Sequence, residues 1–412
     1  MKILHIVSGD LNGGAARGAY WLHKALNENG IDSKIYTNSR ITLDYEKVVT
    51  TNKTKKDNFF NSIRYRLDKI FLLFYRSKMK RIFSTGFFGI NFTKSNEYKE
   101  ADIIHLHWIN GGFVNIKHLS KIDKPLVWTI RDMWPMTGGC HYSLECDQYK
   151  TGCGNCKQLN SNRNYDLSKF VLNRKKKYLP KNIKIVGISQ WLSDEAKKSE
   201  LFKNFDVRTI SNNIEIKEFF PIKKNKAKEI LGIKTNKQII LCGAGNLKDF
   251  YKGFSKFIEA LQLLSKDKYF LGFFGSIDKS IIEPHGFEFK SFGYLNDSNS
   301  LRLLYSCANV FVAPSLMEAF GKTLAESMAC GTPVVAFGTT GLLDIVDHRV
   351  NGYLAKPFDT NDLAQGIDWV LNAENYSELC KNAQDKVLKE FDSKVVAKKY
   401  IALYEKILLN KL

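Results

Sequence analysis

The chain has 412 residues, of which 44% are hydrophobic and 25% are charged. These are ordinary values for a globular protein, and they exclude a disordered, fibrous or collagen-like chain. At roughly 150 residues per domain the length predicts two to three domains, and the formal net charge of +20 bears on partners and solubility rather than on fold.

Short apolar runs alternate with amphipathic stretches along the whole chain. The near-continuous apolar character of these runs predicts parallel strands that are covered by helices on both faces. Because the pattern restarts near Lys237, we predict two doubly wound α/β domains, residues 1–212 and 213–390, with a hinge near Ile210–Pro221. A helix over residues 391–412 is expected to pack back towards the first domain. The predicted strands are Lys2–Val7, Lys34–Thr37, Asp102–His107, Pro125–Ile130, Ile183–Ile188, Gln238–Gly243, Phe270–Gly275, Val310–Ala313 and Pro333–Ala336.

A glycine-bearing turn follows the first predicted strand. Gly13, Gly14 and Ala15 stand directly before a helical pattern. Glycines here let the backbone come close to a ligand, and a helix N-terminus offers N–H groups and a positive dipole end to a phosphate. The alternative is a tight strand–helix turn without a ligand. The spacing is not Gly-x-Gly-x-x-Gly, which argues against a nicotinamide or flavin cofactor.

The positive charge is concentrated in the first half of the chain. Residues 1–210 contain 36 Lys and Arg against 19 Asp and Glu, and the remaining residues contain 26 against 23. Residues 53–82 combine ten Lys and Arg with aromatic and aliphatic residues at helical spacing. Such a segment suits an anionic membrane surface, although the same stripe would also suit packing on the domain core. Nucleic acid is the other anionic candidate, but no known nucleic-acid-binding motif accompanies the charge.

No targeting or membrane-spanning segment is predicted. The apolar start Ile3–Val7 is too short for the core of a signal peptide. The apolar run Ile70–Tyr75 falls far short of the roughly 20 residues that span a bilayer. We therefore expect a cytoplasmic protein, soluble or peripheral on the inner face of the membrane.

Polar and aromatic residues follow two predicted strands of the first domain. His107 and Trp108 end one strand, and Arg131 and Asp132 follow the next. The carboxyl ends of parallel strands form ligand-binding crevices, so these residues are candidates for a site.

Four cysteines then lie within 17 residues, at Cys140, Cys146, Cys153 and Cys156. In a reducing compartment such a cluster is more often a metal site than a set of disulfides, and four thiolates would make a closed structural zinc site. Buried free thiols and a redox pair are the alternatives.

The second half of the chain contains two phosphate-binding candidates. Lys252 and Gly253 follow a glycine-rich strand end, where the lysine could reach a diphosphate. After the strand that ends at Ala313, a turn leads into a helix that begins near Gly321–Thr323, whose first N–H groups could hold a diphosphate. Glu318 stands before this helix and Glu326 about two turns further on, which suits bonds to sugar and ribose hydroxyls.

On these residues the chain resembles the retaining glycosyltransferases of family 4, which have the GT-B fold of two Rossmann-like domains facing a cleft. The resemblance rests on the Glu-x7-Glu block from Glu318 to Glu326 with its Phe-Gly and Gly-Thr-Pro-Val-Val, on Gly13-Gly14, on Lys252-Gly253 and on Asn351-Gly352-Tyr353. The segments at 105–108, 128–135 and 138–142 resemble a subgroup of bacterial capsule, exopolysaccharide and O-antigen biosynthesis.

The resemblance implies a UDP- or GDP-sugar donor, a saccharide or polyprenyl-diphosphate-linked acceptor, and no catalytic metal. Two positions depart from the family: Arg131 replaces the usual histidine, and Asn246 replaces a common arginine. Arginine cannot act as a base near neutral pH, but it can stabilise negative charge. A nucleotide-sugar epimerase or phosphorylase of the same fold is the alternative function. The implied catalytic residues are Glu318, Lys252 and Arg131, and the implied donor-binding residues are Gly13, Gly14, Ala15, Asn246, Lys252, Phe320, Gly321, Lys322, Thr323 and Glu326.

Overall fold

A computed structural model describes residues 1–11, 13–39, 45–75, 78–79 and 81–409 of the chain. Asn12 of the glycine-bearing turn, and residues 76–77 and Lys80 of the basic segment, lie outside the described residues. The chain divides into two compact units. The first comprises Met1–Ser211 and Val396–Leu412, and the second comprises Asn212–Val395.

The first unit is built on a seven-stranded parallel sheet with the order β3-β2-β1-β4-β5-β6-β7. Its central strands are buried along nearly their whole length, which explains their continuous apolar sequences. The strands are β1 (Lys2–Val7), β2 (Asp32–Thr37), β3 (Val48–Thr50), β4 (Ile103–Leu106), β5 (Leu126–Ile130), β6 (Lys184–Gly187) and β7 (Asp206–Thr209).

The second unit repeats this design with a six-stranded parallel sheet of order β10-β9-β8-β11-β12-β13. The strands are β8 (Gln238–Asn246), β9 (Tyr269–Ser276), β10 (Glu288–Ser291), β11 (Val310–Ala313), β12 (Val334–Phe337) and β13 (Gly352–Ala355). The predicted fold class, α/β with two doubly wound Rossmann-like domains of the GT-B type, is confirmed.

Helices connect the strands of both sheets, as parallel pairing requires. In the first unit they are α1 (Gly14–Glu28), α2 (Lys55–Leu67), α3 (Asn96–Glu100), α4 (Leu167–Tyr178) and α5 (Gln190–Lys198). In the second they are α6 (Lys224–Ile230), α7 (Phe254–Leu261), α8 (Ser298–Cys307), α9 (Lys322–Ala329), α10 (Thr360–Leu371) and α11 (Tyr376–Lys386). The last helix, α12 (Ser393–Leu409), completes the chain. Within the described residues, no helix combines the length and the apolar character needed to cross a bilayer.

The C-terminal helix α12 begins later than the sequence predicted. A π-helical turn, Val387–Phe391, precedes it. Residues around Ser393 stay with the second unit, because the Ser393 hydroxyl donates to the Ile214 carbonyl at 3.1 Å and Ile214 bridges to Asp392. The unit border therefore falls after Val395 rather than after residue 390. From Val396 onward the helix belongs to the first unit, where Tyr400 and Tyr404 are buried in its core.

Candidate functional site

Lys252 lies on a turn that is held against the loop after β11. Gly253 has a φ of +62°, and a Cβ there would stand 1.9 Å from the Pro314 carbonyl oxygen. The Leu316 N–H donates to the Tyr251 carbonyl at 2.8 Å. Only glycine allows this approach and this backbone conformation, so Gly253 positions the neighbouring lysine beside the loop.

The Lys252 ammonium forms an ion pair with Glu318, with Nζ 2.5 Å from Oε1. The Ser315 hydroxyl donates to the same Oε1 at 3.0 Å. Burial acts to lower the pKa of Lys252, but the neighbouring Glu318 outweighs this effect and the net pKa is raised. Lys252 is therefore a fixed positive charge with a partly exposed side chain.

The turn after β12 fixes the backbone of Glu318 from both sides. The Glu318 N–H donates to the Thr340 hydroxyl at 3.1 Å, and the Gly341 N–H donates to the Glu318 carbonyl at 3.0 Å. Thr340 has a φ of +52°, which is unusual for a β-branched residue and stores backbone strain. Sequence reasoning missed Thr340; the Gly-Thr-Thr-Gly at 338–341 was the available signal.

The helix α9 starts where the sequence predicted and presents an N-terminus without a side-chain cap. Gly321 has a φ of +100°, and a Cβ there would lie 2.7 Å from the Leu342 side chain. No acidic residue occupies the first turn. The positive end of the helix dipole at Lys322 and Thr323 is therefore not offset by a carboxylate in that turn.

Glu326 is buried in α9 with unequal partners for its two oxygens. Oε2 accepts from the Tyr305 hydroxyl at 3.0 Å. Oε1 lies 3.4 Å from the Lys322 ammonium but accepts no hydrogen bond within the described residues. A buried carboxylate oxygen in this state is ready to accept from a ligand hydroxyl.

Two predicted donor-binding residues are placed differently from the others. The Phe320 side chain is buried and packs edge-on against Phe391, with ring centroids 5.2 Å apart, so only its backbone remains for a ligand. Asn246 is exposed at the end of β8, where its side chain accepts from the Lys248 N–H at 3.0 Å. Asn246 thus shapes a turn, because a short amide side chain bonds its own backbone two residues on.

In the first unit, α1 begins at Gly14, and Gly13 precedes it without a side-chain cap. A Cβ at either glycine would meet no atom within 4 Å. Packing of the described residues therefore does not require glycine at these positions. The open space lies at the positive end of a 15-residue helix, as the phosphate-binding prediction requires; Ala15 lies in the first turn.

Part of the predicted polar cluster forms at the ends of β4 and β5. Asp132 accepts from the Trp108 indole N–H at 3.0 Å and pairs with His141 Nδ1 at 2.6 Å. The other ring nitrogen of His141 lies 2.9 Å from the Ser84 hydroxyl. Sequence analysis did not predict the pairing of His141 with Asp132, because it depends on a turn in which the Met133 N–H donates to the His141 carbonyl.

Arg131 and His107 belong to a buried group of histidines. His107 lies between His5, at 2.8 Å, and Arg131, whose Nε donates to His107 Nδ1 at 3.3 Å. Burial lowers the pKa of Arg131 to about 10 and holds the pKa values of His5, His105 and His107 well below the usual range. With 7% of its surface exposed, Arg131 is not placed as an open catalytic side chain in this unit.

Two groups of residues could be considered as metal ligands. Ring nitrogens of His5, His105 and His107 lie within 4.8 Å of one another. However, His105 already pairs with Tyr404 and Thr129, at 2.6 and 2.7 Å, and Arg131 adds positive charge, so this group does not suit a cation. The other group is the cysteine cluster, whose four thiols are free.

Residues 223–387, within the second unit, match the family model of the glycosyl transferases group 1. This match covers most of the second unit and none of the first.

Curated relatives are also glycosyltransferases. An uncharacterized glycosyltransferase of Methanocaldococcus jannaschii is 28% identical over 74% of this chain and 75% of its own length. An N,N'-diacetylbacillosaminyl-diphospho-undecaprenol alpha-1,3-N-acetylgalactosaminyltransferase of Campylobacter jejuni is 31% identical over 48% of this chain and 54% of its own length. A capsular polysaccharide biosynthesis glycosyltransferase of Staphylococcus aureus, CapM, is 23% identical over 54% and 62%. Of these three relatives, CapM is the one named for polysaccharide biosynthesis, and the alignments with the last two span little more than half of those proteins.

Solved structures share the fold over nearly the whole chain. A sucrose-phosphate synthase from Thermosynechococcus elongatus superposes with a TM-score of 0.72 at 19% identity, covering 99% of both chains. Anabaena HepE, solved in complex with UDP and glucose, gives a TM-score of 0.65 at 16% identity, covering 98% of this chain and 99% of its own. At such low identity the likeness establishes the fold.

Proposed function

We propose that the protein is a retaining glycosyltransferase that moves a sugar from a nucleotide-diphosphate-sugar to a saccharide acceptor that is linked to a lipid carrier such as polyprenyl diphosphate. The observation that carries this proposal is the loop between β11 and α9. Glu318 lies in this loop, Lys252 pairs with Glu318, and the uncapped start of α9 ends the loop. Glu326 follows within the helix, and its Oε1 accepts no hydrogen bond within the described residues. The match of residues 223–387 to a glycosyltransferase domain supports the same conclusion.

Each of these groups suits one part of the donor. The Lys252 ammonium and the N–H groups of Gly321–Thr323 would hold the diphosphate, because both present positive charge. Glu318 would accept hydrogen bonds from hydroxyl groups of the donor sugar, and Oε1 of Glu326 would accept a hydrogen bond from a ribose hydroxyl. Lys322, 3.4 Å from Glu326, would add positive charge at the same helix start. The open space at Gly13 and Gly14 would receive a phosphate oxygen of the donor.

Transfer breaks the bond between the anomeric carbon and the diphosphate oxygen and forms a bond from that carbon to the acceptor oxygen. Negative charge develops on the departing diphosphate, and fixed donors aimed at it stabilise the transition state. A front-face reaction retains the configuration, with the departing phosphate oxygen accepting the acceptor's proton. Lys252 needs no change of protonation for this role.

The acceptor would bind the first unit, and we propose that this unit also rests on an anionic membrane. None of the residues of α2 is buried, which argues against packing of its stripe on the core. Phe59, Leu73 and Phe74 are 62%, 71% and 82% exposed among the lysines and arginines of the segment. Exposed aromatic residues with flanking cations bind anionic lipid surfaces.

The donor is tested first by thermal unfolding with UDP, GDP and their sugars, because a ligand that binds the native state raises the Tm. The donor so identified is then incubated with and without saccharide and polyprenyl-linked acceptors. A transferase releases free nucleoside diphosphate in proportion to the amount of acceptor that receives the sugar. NMR of the product reports whether the anomeric configuration is retained. Conversion of the donor without an acceptor would instead support an epimerase, and release that requires phosphate would support a phosphorylase.

A further inference from the structure

The four clustered cysteines surround one small cavity in the first unit. Cys140, Cys146, Cys153 and Cys156 all line it, although they come from three different turns of the loop between β5 and α4. The cavity measures about 20 Å³, room for one small occupant rather than a multi-iron cluster. Four thiols therefore border one small space.

The backbone around the last two cysteines is wound tightly towards this cavity. Cys153 and Asn155 have φ values of +57° and +45°, and both neighbouring glycines, Gly152 and Gly154, also have positive φ. Such a run is unfavourable for residues other than glycine. The start of α4 secures it, since Asp166 accepts from the Cys156 N–H at 2.8 Å.

Backbone N–H groups are directed at two of the sulfur atoms. The Gly138 amide hydrogen-bonds to the Cys153 sulfur, and the amides of Leu159 and Gln158 hydrogen-bond to the Cys156 sulfur. Amide donors of this kind stabilise thiolates, the form of cysteine that binds metals.

A buried lysine lies beside the same cluster. Lys175 of α4 is 1% exposed, and its side-chain nitrogen donates to the carbonyls of Thr137, at 2.8 Å, and Trp134. Cys140, Cys153 and the Asp132 carboxylate all interact with it electrostatically.

We propose that Cys140, Cys146, Cys153 and Cys156 bind one zinc ion as thiolates in a closed structural site. Tetrahedral sulfur ligation suits zinc. These sulfur atoms do not meet the 4.8 Å mutual distance that the ring nitrogens of the histidine group meet. Binding of the ion would therefore move the sulfur atoms inward, to Zn–S distances of about 2.3 Å. Because His141 adjoins Cys140, the ion also steadies the pairing of His141 with Asp132.

The test is the metal content of untagged, full-length protein produced with zinc in the medium. Elemental analysis is expected to find about one zinc ion per chain. Cys153→Ser and Cys156→Ser should each lose most of it, whereas Cys380→Ser, a cysteine of the second unit, should keep it. If the first two variants do not fold, wild-type protein is titrated with a mercurial reagent; zinc release should follow modification of these four thiols.

Several outcomes would overturn the proposal. Zinc well below one per chain after exposure to excess zinc would do so, as would full retention of zinc in Cys153→Ser. Iron with visible thiolate charge-transfer absorption would assign a different metal centre. A disulfide between any two of these cysteines, found by mass spectrometry of protein isolated under reducing conditions, would assign a redox pair instead.

Discussion

Lys252 is the residue on which the proposed chemistry depends most directly. Its ammonium is already fixed by Glu318 before any ligand binds, so little reorganisation is required when a diphosphate arrives. Fixed charges of this kind act most strongly where charge develops in the transition state. The raised pKa of Lys252, in which the effect of Glu318 outweighs that of burial, keeps it charged throughout the neutral range.

Lys252→Ala is expected to lower kcat by about 10²–10³, the usual effect of removing one such donor. Steady-state transfer with saturating donor measures this directly. Lys248→Ala is the matched control, since Lys248 is exposed four residues earlier on the same segment. Turnover of Lys252→Ala within a few-fold of the Lys248→Ala value, with both variants folded, would contradict the assignment.

A substitution at Gly14 can change donor binding without lowering the stability of the fold. The methyl group in Gly14→Ala meets no atom within 4 Å, and alanine favours a helix over glycine by up to about 1 kcal/mol. We therefore expect an unchanged or higher Tm together with at least a tenfold higher KM for the donor, because the methyl group would occupy the space that we propose for a donor phosphate. If donor affinity stays at the wild-type value in calorimetry, Gly14 does not contact the donor.

At the scale of the element, α2 shows how an exposed apolar segment is held in place. Asp68, just after the helix, is buried and accepts hydrogen bonds from the Thr85 hydroxyl and the Phe87 N–H, each at 2.8 Å. A Cβ at Gly112 would lie 2.7 Å from the Arg64 carbonyl carbon, so the helix backbone packs closely there. The helix is thus anchored through its backbone and one carboxylate, and its aromatic residues Phe59, Phe60 and Tyr65 are exposed. After the helix, Leu72 is buried and Phe71 packs against the same core cluster.

The double variant Leu73→Ser, Phe74→Ser is expected to lose most binding to vesicles that contain anionic phospholipid, measured by co-sedimentation. Replacing exposed apolar side chains removes the contacts that enter the lipid interface. The control is Ile230→Ser, Leu263→Ser, because these residues of the second unit are 57% and 54% exposed. Equal loss of vesicle binding in both double variants, or no binding of wild-type protein to anionic vesicles, would contradict the proposal that this segment binds a membrane.

On the scale of the whole molecule, the two units differ in their buried histidines. His5, His23, His105 and His107 of the first unit are buried, whereas His285 and His348 of the second unit are not. Burial lowers the pKa of His23 to about 4 and holds the other three well below their usual range. Folding therefore keeps these rings neutral where the unfolded chain would bind protons.

This difference makes the stability of the first unit sensitive to mild acid. The histidine pKa values are lowered on folding, so the contribution is complete above about pH 6.5 and is lost as the pH falls towards about 4. The slope approaches about 1.4 kcal/mol per pH unit for each histidine. Hydrogen-exchange mass spectrometry between pH 7 and 5, corrected for intrinsic rates, should show β1 and β4 losing protection before β8 and β11. Parallel loss in both units would contradict this.

The sequence was most informative where a strand is buried on both faces. All nine predicted strands exist, because central strands need continuous apolar side chains on both sides. The four strands that sequence analysis missed, β3, β7, β10 and β13, are the four edges of the two sheets. Three of these lack a buried residue, so their sequences carry no apolar run that would reveal them.

Some parts of the candidate site could also be found from the sequence, because they depend on neighbours along the chain. The helix start after Gly321, the turn at Gly253 and the spacing from Glu318 to Glu326 are local features. The partners of these residues are not local: Lys252 meets Glu318 across 66 residues, and Thr340 supports Glu318 across 22.

The sequence by itself determined the alternation of strands and helices, the two-unit design and the glycine-bearing turns before α1, at Gly253 and before α9. Only the tertiary structure decided that Arg131 lies among buried histidines, that His141 pairs with Asp132, and that Tyr404 closes the core of the first unit 299 residues away from His105. The physical reason is that periodicity and turn chemistry act over a few residues, whereas burial and pairing depend on which distant segments the sheet brings side by side.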